Sequence, residues 1–213
     1  MKQTINAKDT ILFQGDSITD CGRSRDDNAV NSDLGNGYVT FIAARQLAAR
    51  PADGLRFLNR GISGNRIVDM YARIKGDAIN LNPQVLSILI GVNDTWHEFA
   101  GQNGVAVPKF ERIFRNFLGE VRDALPNVRF VLCEPFVLNC GVVTREWIVE
   151  MDMRRAVVRK IAKEIKAVFV PFQTMFDEAV KQAPPTYWAS DGVHPTLAGH
   201  ERMTQTWLEA VGA

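Results

Sequence analysis

Five short apolar runs, set between stretches of helical spacing, constrain this chain more than any other feature. The clearest is Val85 to Ile90, bounded by Pro83 and Gly91. Its near-continuous apolar character suits a strand covered on both faces, where no position along the strand meets water. The others are Ile11 to Phe13, which gives way to Gly15, and Leu55 to Asn59, Val128 to Cys133 and Ala167 to Pro171. Between them, helices are expected over Tyr38 to Ala49, Val149 to Lys166 and Gln173 to Gln182. Another has Ile67, Tyr71, Ile74 and Ala78 on one face, and another starts near Pro108 with Phe110, Phe114, Phe117 and Val121 at helical spacing. Leu197, His200, Thr204 and Trp207 share one more helical face. Strands alternating with helices predict parallel pairing through right-handed crossovers, and so a three-layer α/β/α sandwich.

A chain of 213 residues, 46% of them hydrophobic, is long enough for one well-filled core, so a single domain over 1–213 is expected. The net charge of +1 argues against nucleic acid or an anionic membrane as an obligatory partner. Residues 1–9 lack the apolar segment of a signal peptide and no run approaches membrane-spanning length, so a cytoplasmic location is expected. Cys21, Cys133 and Cys140 are odd in number and fit no metal-ligand spacing, which predicts reduced thiols. Asp20, Asp26, Asp27 and Asp33 make the first loop acidic, but they alternate with Arg23 and Arg25 and lack paired histidines. No catalytic metal and no cofactor is expected. The first strand is followed by neither Gly-x-Gly-x-x-Gly nor a P-loop, which removes the main support for nucleotide binding. Arg154, Arg155 and Arg159 alternate with Glu150 and Asp152, the pattern of a solvated helix face.

The chemistry concentrates in four blocks. Ile11 to Asp20 places Ser17 where the first strand opens into a turn, at the edge where open parallel sheets bind ligands. A serine hydroxyl needs a base to take its proton as it attacks. Asp191-Gly192-Val193-His194 offers an imidazole with a carboxylate three residues before it. An ordinary imidazole pKa near 6.5 suits both taking and giving that proton. Between these blocks stand Gly61-Ile62-Ser63-Gly64-Asn65 and Gly91-Val92-Asn93-Asp94, each directly after an apolar run. Ser63 lacks the Gly-x-Ser-x-Gly elbow and suits a turn; Asp16 and Asp94 suit capping or loop hydrogen bonds. Cys21 has no histidine near it in sequence and suits a packed thiol. His200 suits a satisfied, partly buried position.

Taken in this order, the four blocks resemble the SGNH, or G-D-S-L, family of serine hydrolases over nearly the whole chain, with Ile18 and Thr19 where the family name has a leucine. The resemblance implies a flavodoxin-like sheet of order 2-1-3-4-5. It implies Ser17 as nucleophile, His194 as base and Asp191 as the group orienting it. It also implies an oxyanion hole made by the N–H groups of Ser17 and Gly64 and the Asn93 side-chain amide. The wording Gln14 to Arg23, Leu34 to Tyr38 and Asn93 to Trp96 is similar to intracellular acetyl xylan esterases. That implies removal of O-acetyl groups from carbohydrates, with xylo-oligosaccharides as the expected substrates, through an acyl-enzyme on Ser17. Trp96, Trp147 and Trp188 fall in segments expected near the pocket, so Trp96, His97 and Trp188 are candidate substrate contacts. The loop from Cys21 to Gly37 is expected to line one side of it. Alternatives are an esterase, lysophospholipase or thioesterase for other small acyl substrates, or a non-catalytic carbohydrate-binding protein on the same fold. A homo-oligomer is open to such a chain, although no stretch marks an interface.

Overall fold

The computed structural model describes residues 4–26 and 29–213; Asp27, named above, lies outside them. Strand β1 (Thr10–Gly15) runs into the short helix α1 (Ser17–Asp20), and a long loop leads to α2 (Tyr38–Ala49) and β2 (Arg56–Asn59). Then come α3 (Ile67–Ala72), α4 (Ile74–Asp77) and a 3-10 turn, β3 (Val85–Leu89), α5 (Val92–Gly101), α6 (Val107–Ala124) and β4 (Arg129–Cys133). The chain continues through α7 (Arg145–Glu164), β5 (Val168–Val170), α8 (Phe172–Ala179), α9 (Pro185–Trp188) and α10 (Leu197–Val211). The strands form one parallel sheet of order β2-β1-β3-β4-β5.

Alternating side chains divide this sheet between two cores. Ile11, Phe13, Val85, Leu89 and Val131 face α2, α8 and α10, where Ile42, Phe172, Phe176 and Trp207 pack. Leu12, Leu58, Leu86, Ile88 and Leu132 face the other way, onto Met70 of α3, Phe114 and Phe117 of α6 and Val158 and Ile161 of α7. Every residue of β3 is buried, as its unbroken run requires. The one polar member, Ser87, accepts the Trp207 indole N–H at 3.0 Å. The register sets Phe13 opposite Asn59 and Gly15 opposite Leu89, so β1, β2 and β3 end side by side. Each therefore releases its following loop at one edge. No helix among the described residues is long and apolar enough to cross a membrane, and the three cysteines are free thiols.

Several local expectations give way. The segment after β3 is helical through Gly101, with Asn93, Asp94 and Thr95 buried. The helix expected to begin at Val149 begins at Arg145, because the Thr144 hydroxyl caps it by accepting the N–H of Trp147. The face shared by Ile67, Tyr71, Ile74 and Ala78 is broken at Arg73, which lies between α3 and α4. Arg155 is buried instead of solvated, and so, fully, is Arg154. Its guanidinium donates to Thr95 Oγ1 at 2.9 Å and to the Val105 carbonyl at 2.6 Å, and lies over the Phe110 ring. Those bonds tie α7 to α5.

Candidate active site

Ser17 owes its position to the residue before it. Asp16 accepts the N–H of Ile18 at 3.0 Å and caps α1, so the chain turns abruptly beyond β1 and Ser17 opens the first turn. Its Oγ lies 2.8 Å from Nε2 of His194. The other ring nitrogen, Nδ1, lies 2.6 Å from Oδ2 of Asp191. Oδ1 of the same carboxylate accepts the N–H groups of Val193 at 2.9 Å and His194 at 2.7 Å. One carboxylate thus folds its own loop and holds the ring that the loop carries. Because a carboxylate only accepts, the network places a proton on Nδ1 and turns the Nε2 lone pair towards Ser17. Burial pushes the Asp191 carboxyl up, but the bonds from His194 and Val193 outweigh it and hold the group below its usual value.

The loop from Gly61 to Asn65 approaches from β2. Gly64 has φ +82, in the left-handed region that side chains disfavour. Around it the loop is tied down from both sides. Asp20 accepts both the N–H and the hydroxyl of Ser63, each at 2.9 Å, and pairs with Arg25 at 2.6 Å. Ser63 is thus engaged as a turn residue. Arg23 and Arg25 both donate to the Gly61 carbonyl, at 2.7 and 3.1 Å. On the far side, Arg73 donates to Asn65 Oδ1 at 2.8 Å, to the Arg60 carbonyl at 2.8 Å and to the Gly15 carbonyl at 3.3 Å. One guanidinium joins the ends of β1 and β2 to the loop between β2 and α3.

Asn93 sits in the first turn of α5, and its Nδ2 donates to the Asn65 carbonyl at 3.2 Å. An amide nitrogen has two hydrogens, so this bond fixes the orientation and leaves the second one to donate elsewhere. The neighbouring Asp94 is fully buried and accepts the N–H of Ile67 with both oxygens at 3.1 Å. Burial pushes the carboxyls of Asp94 and Asp16 up to about 7 each, against the favourable charge of Arg154 and the bond from the Ile18 N–H respectively.

Ser17, Gly64, Asn93 and His194 line one cleft of about 620 Å³, whose walls include Ser63, Trp96, His97 and Asn103. The Trp96 ring lies 5.8 Å from the His194 ring and 5.3 Å from that of Trp147, which in turn stacks on Phe99 at 5.9 Å. Trp188 lies elsewhere. It is 7% exposed in the core, and its indole N–H is used by the Ala183 carbonyl at 3.2 Å. The described part of the loop from Cys21 to Gly37 does not line the cleft; Arg23 and Arg25 reach its rear through Gly61. Among the described residues, no three His, Cys, Asp or Glu side chains are grouped to hold a metal. Asp20 and Arg73 were not singled out from sequence for this site. Arg73 belongs to no short motif, and Asp20 closes the first block without anything in that block marking its bonds to Ser63 on a distant segment.

A hydroxyl, an imidazole and a carboxylate in one hydrogen-bonded row, beside amide donors at the end of a parallel sheet, are the parts an acyl-transfer hydrolase needs. Comparison with known proteins agrees: residues 13–202 match the GDSL-like lipase/acylhydrolase family model. The chain belongs to that family and is a carboxylic ester hydrolase. Within it, the chain is 35% identical over 213 residues to an acetylxylan esterase of Geobacillus stearothermophilus, covering 98% of this chain and 96% of that one. The solved structure of that organism's acetylxylan esterase Axe2 matches with a TM-score of 0.91 at 34% identity, covering 99% and 97% of the two chains. A protein from Parabacteroides merdae that carries a GDSL-like lipase designation matches with a TM-score of 0.93 at 45% identity, covering 98% and 97%. Further Axe2 structures are described as catalytic mutants with a serine, an aspartate or a histidine replaced by alanine.

Proposed function

We propose that the protein removes acetyl groups from sugar hydroxyls, with acetylated xylo-oligosaccharides as substrates, through an acyl-enzyme on Ser17. The observation that carries this reading is the row from Ser17 Oγ through His194 to Asp191, set in the same cleft as Gly64 and Asn93. Ser17 Oγ attacks the ester carbonyl carbon as its proton passes to Nε2 of His194. Asp191 stabilises the imidazolium through Nδ1. The negative oxygen that develops accepts from the N–H groups of Ser17 and Gly64 and from the free amide hydrogen of Asn93. When the intermediate collapses, His194 returns the proton to the departing sugar oxygen, and the acetyl group remains on Ser17. Water then repeats the sequence, releasing acetate and restoring the serine.

The substrate assignment draws support from the relative named as an acetylxylan esterase and from an Axe2 structure described as an acetyl-xylooligosaccharide esterase. In this reading Trp96 and His97 meet the sugar, since both line the cleft, and Trp188 does not. The test is acetate release from acetylated xylo-oligosaccharides, with a chromogenic acetate as a second substrate and Ser17→Ala as the blank. Release from both, abolished in the variant, is expected. Turnover of the chromogenic ester alone would leave an esterase for other small acyl groups and discard the xylan substrate.

A further inference from the structure

The imidazole of His200 lies outside the cleft and is only 4% exposed, yet it touches three elements. Helix α2 has Gly37 at its N-cap, which has no side chain to cap it. The N–H of Tyr38, the first of that helix, donates to Nδ1 of His200 at 3.2 Å. An N–H can donate only to a nitrogen that carries a lone pair, so Nδ1 is bare and a neutral ring holds its proton on Nε2. Nε2 faces Sγ of Cys21 at 3.6 Å. Cys21 in turn closes the turn that bears Ser17, its own N–H donating to the Ser17 carbonyl at 2.9 Å. A methyl group on Gly37 would come within 2.9 Å of His200 Cε1 and 3.0 Å of Cys21 Sγ, so only glycine admits this approach. The Tyr38 ring lies parallel to the imidazole, and its hydroxyl meets Thr19 Oγ1 at 3.0 Å.

We infer that His200 is a positioning residue for ester hydrolysis: a neutral imidazole, locked as the Nε2–H tautomer, that holds the Ser17 turn through Cys21 in register with the segment carrying His194. The link is direct in the chain, since α10 begins at Leu197, shortly after His194. Burial, helped by the nearby His194, pushes the His200 pKa down to about 4, which keeps the ring uncharged in its cap. The role in turnover rests on Ser17 being the nucleophile, whereas the tautomer does not.

Nitrogen NMR of the full chain with labelled histidine reads the tautomer without substrate. His200 is expected to show a bare Nδ1 and a protonated Nε2 throughout about pH 5 to 8. A proton on Nδ1, or a ring that becomes charged in that range, would overturn the inference. Two variants then read the positioning. Cys21→Ala removes the sulfur while leaving the α2 cap and adds no branched side chain at the left-handed φ of +41, and His200→Asn keeps an acceptor near the place of Nδ1 but cannot reach Cys21. Each is expected to lower kcat about tenfold with KM within about twofold, and Cys21→Ser to retain most of kcat. Unchanged kcat in folded Cys21→Ala would overturn the positioning role even with the tautomer in place. An active Ser17→Ala would strike the nucleophile reading instead.

Discussion

Asp191 does three things with two oxygens: it accepts from two backbone N–H groups and from its own loop's imidazole. An asparagine there could still accept the backbone bonds, but its NH2 would face Nδ1 and favour the opposite tautomer. Nε2 would then present a proton to Ser17 in place of a lone pair. Asp191→Asn is therefore expected to lower kcat by about 10³–10⁴ with the fold intact, measured on a chromogenic acetate; a loss of only a few-fold would contradict the tautomer argument. Arg73 works through geometry. Its fork reaches three carbonyl oxygens at once, which the single ammonium of lysine cannot do. Arg73→Lys should lower kcat about tenfold with little change in KM, since it loosens Asn65 and through it the Asn93 amide. A fall in thermal stability with kcat intact would make Arg73 structural only.

Among the elements, the loop from Gly61 to Asn65 carries the most specific demand. No heavy atom lies within 4 Å of where a Cβ would stand on Gly64, so only backbone conformation resists a side chain there. Gly64→Ala should cost about 1–2 kcal/mol of left-handed strain. If the loop relaxes to escape it, kcat falls while chemical denaturation shows a smaller loss. The parts legible in the sequence were those whose cause is local. Strands buried on both faces leave apolar runs, and α2 forms over Tyr38–Ala49 as its spacing predicts. Helix α5 was not legible because Asn93, Asp94 and Thr95 put polar side chains on its buried side, against the pattern that marks a helix. Arg154 misled because Glu150, four residues before it, pairs with its charge while Thr95 and the Val105 carbonyl, far off in sequence, take its other hydrogens and let it be buried. Ser17, Asp191, His194, Gly64 and Asn93 stood out through family resemblance, their motifs being short and ordered. Arg73, Asp20 and the pairing of Cys21 with His200 depend on segments that only the closed sheet brings together.

Across the whole molecule, buried titratable groups set how stability follows pH. His200 binds its proton at about 4 when folded against an ordinary 6.5, so the unfolded chain takes up a proton in that interval that the native state refuses. Its contribution is present above 6.5 and is lost as pH falls towards 4. Asp16 is the opposite case: folding raises it from 3.8 to about 7, so its contribution is complete below 3.8 and lost as pH rises through 7. Asp94 adds in the same direction. Over the shared interval from about 4 to 6.5 the two carboxyls outweigh the one histidine, so urea midpoints should fall as pH rises through it. Asp16→Asn should make that fall shallower and His200→Asn should make it steeper; a slope unchanged in these variants would refute the assignment. The central claim is that Ser17 carries the acyl group, and its most direct test is labelling of the native enzyme by a fluorophosphonate, followed by peptide mass spectrometry. The account predicts one adduct, on the peptide containing Ser17, with loss of activity in proportion to labelling and no label in His194→Ala. An adduct on Ser63 or elsewhere, or full inactivation with Ser17 unmodified, would contradict it.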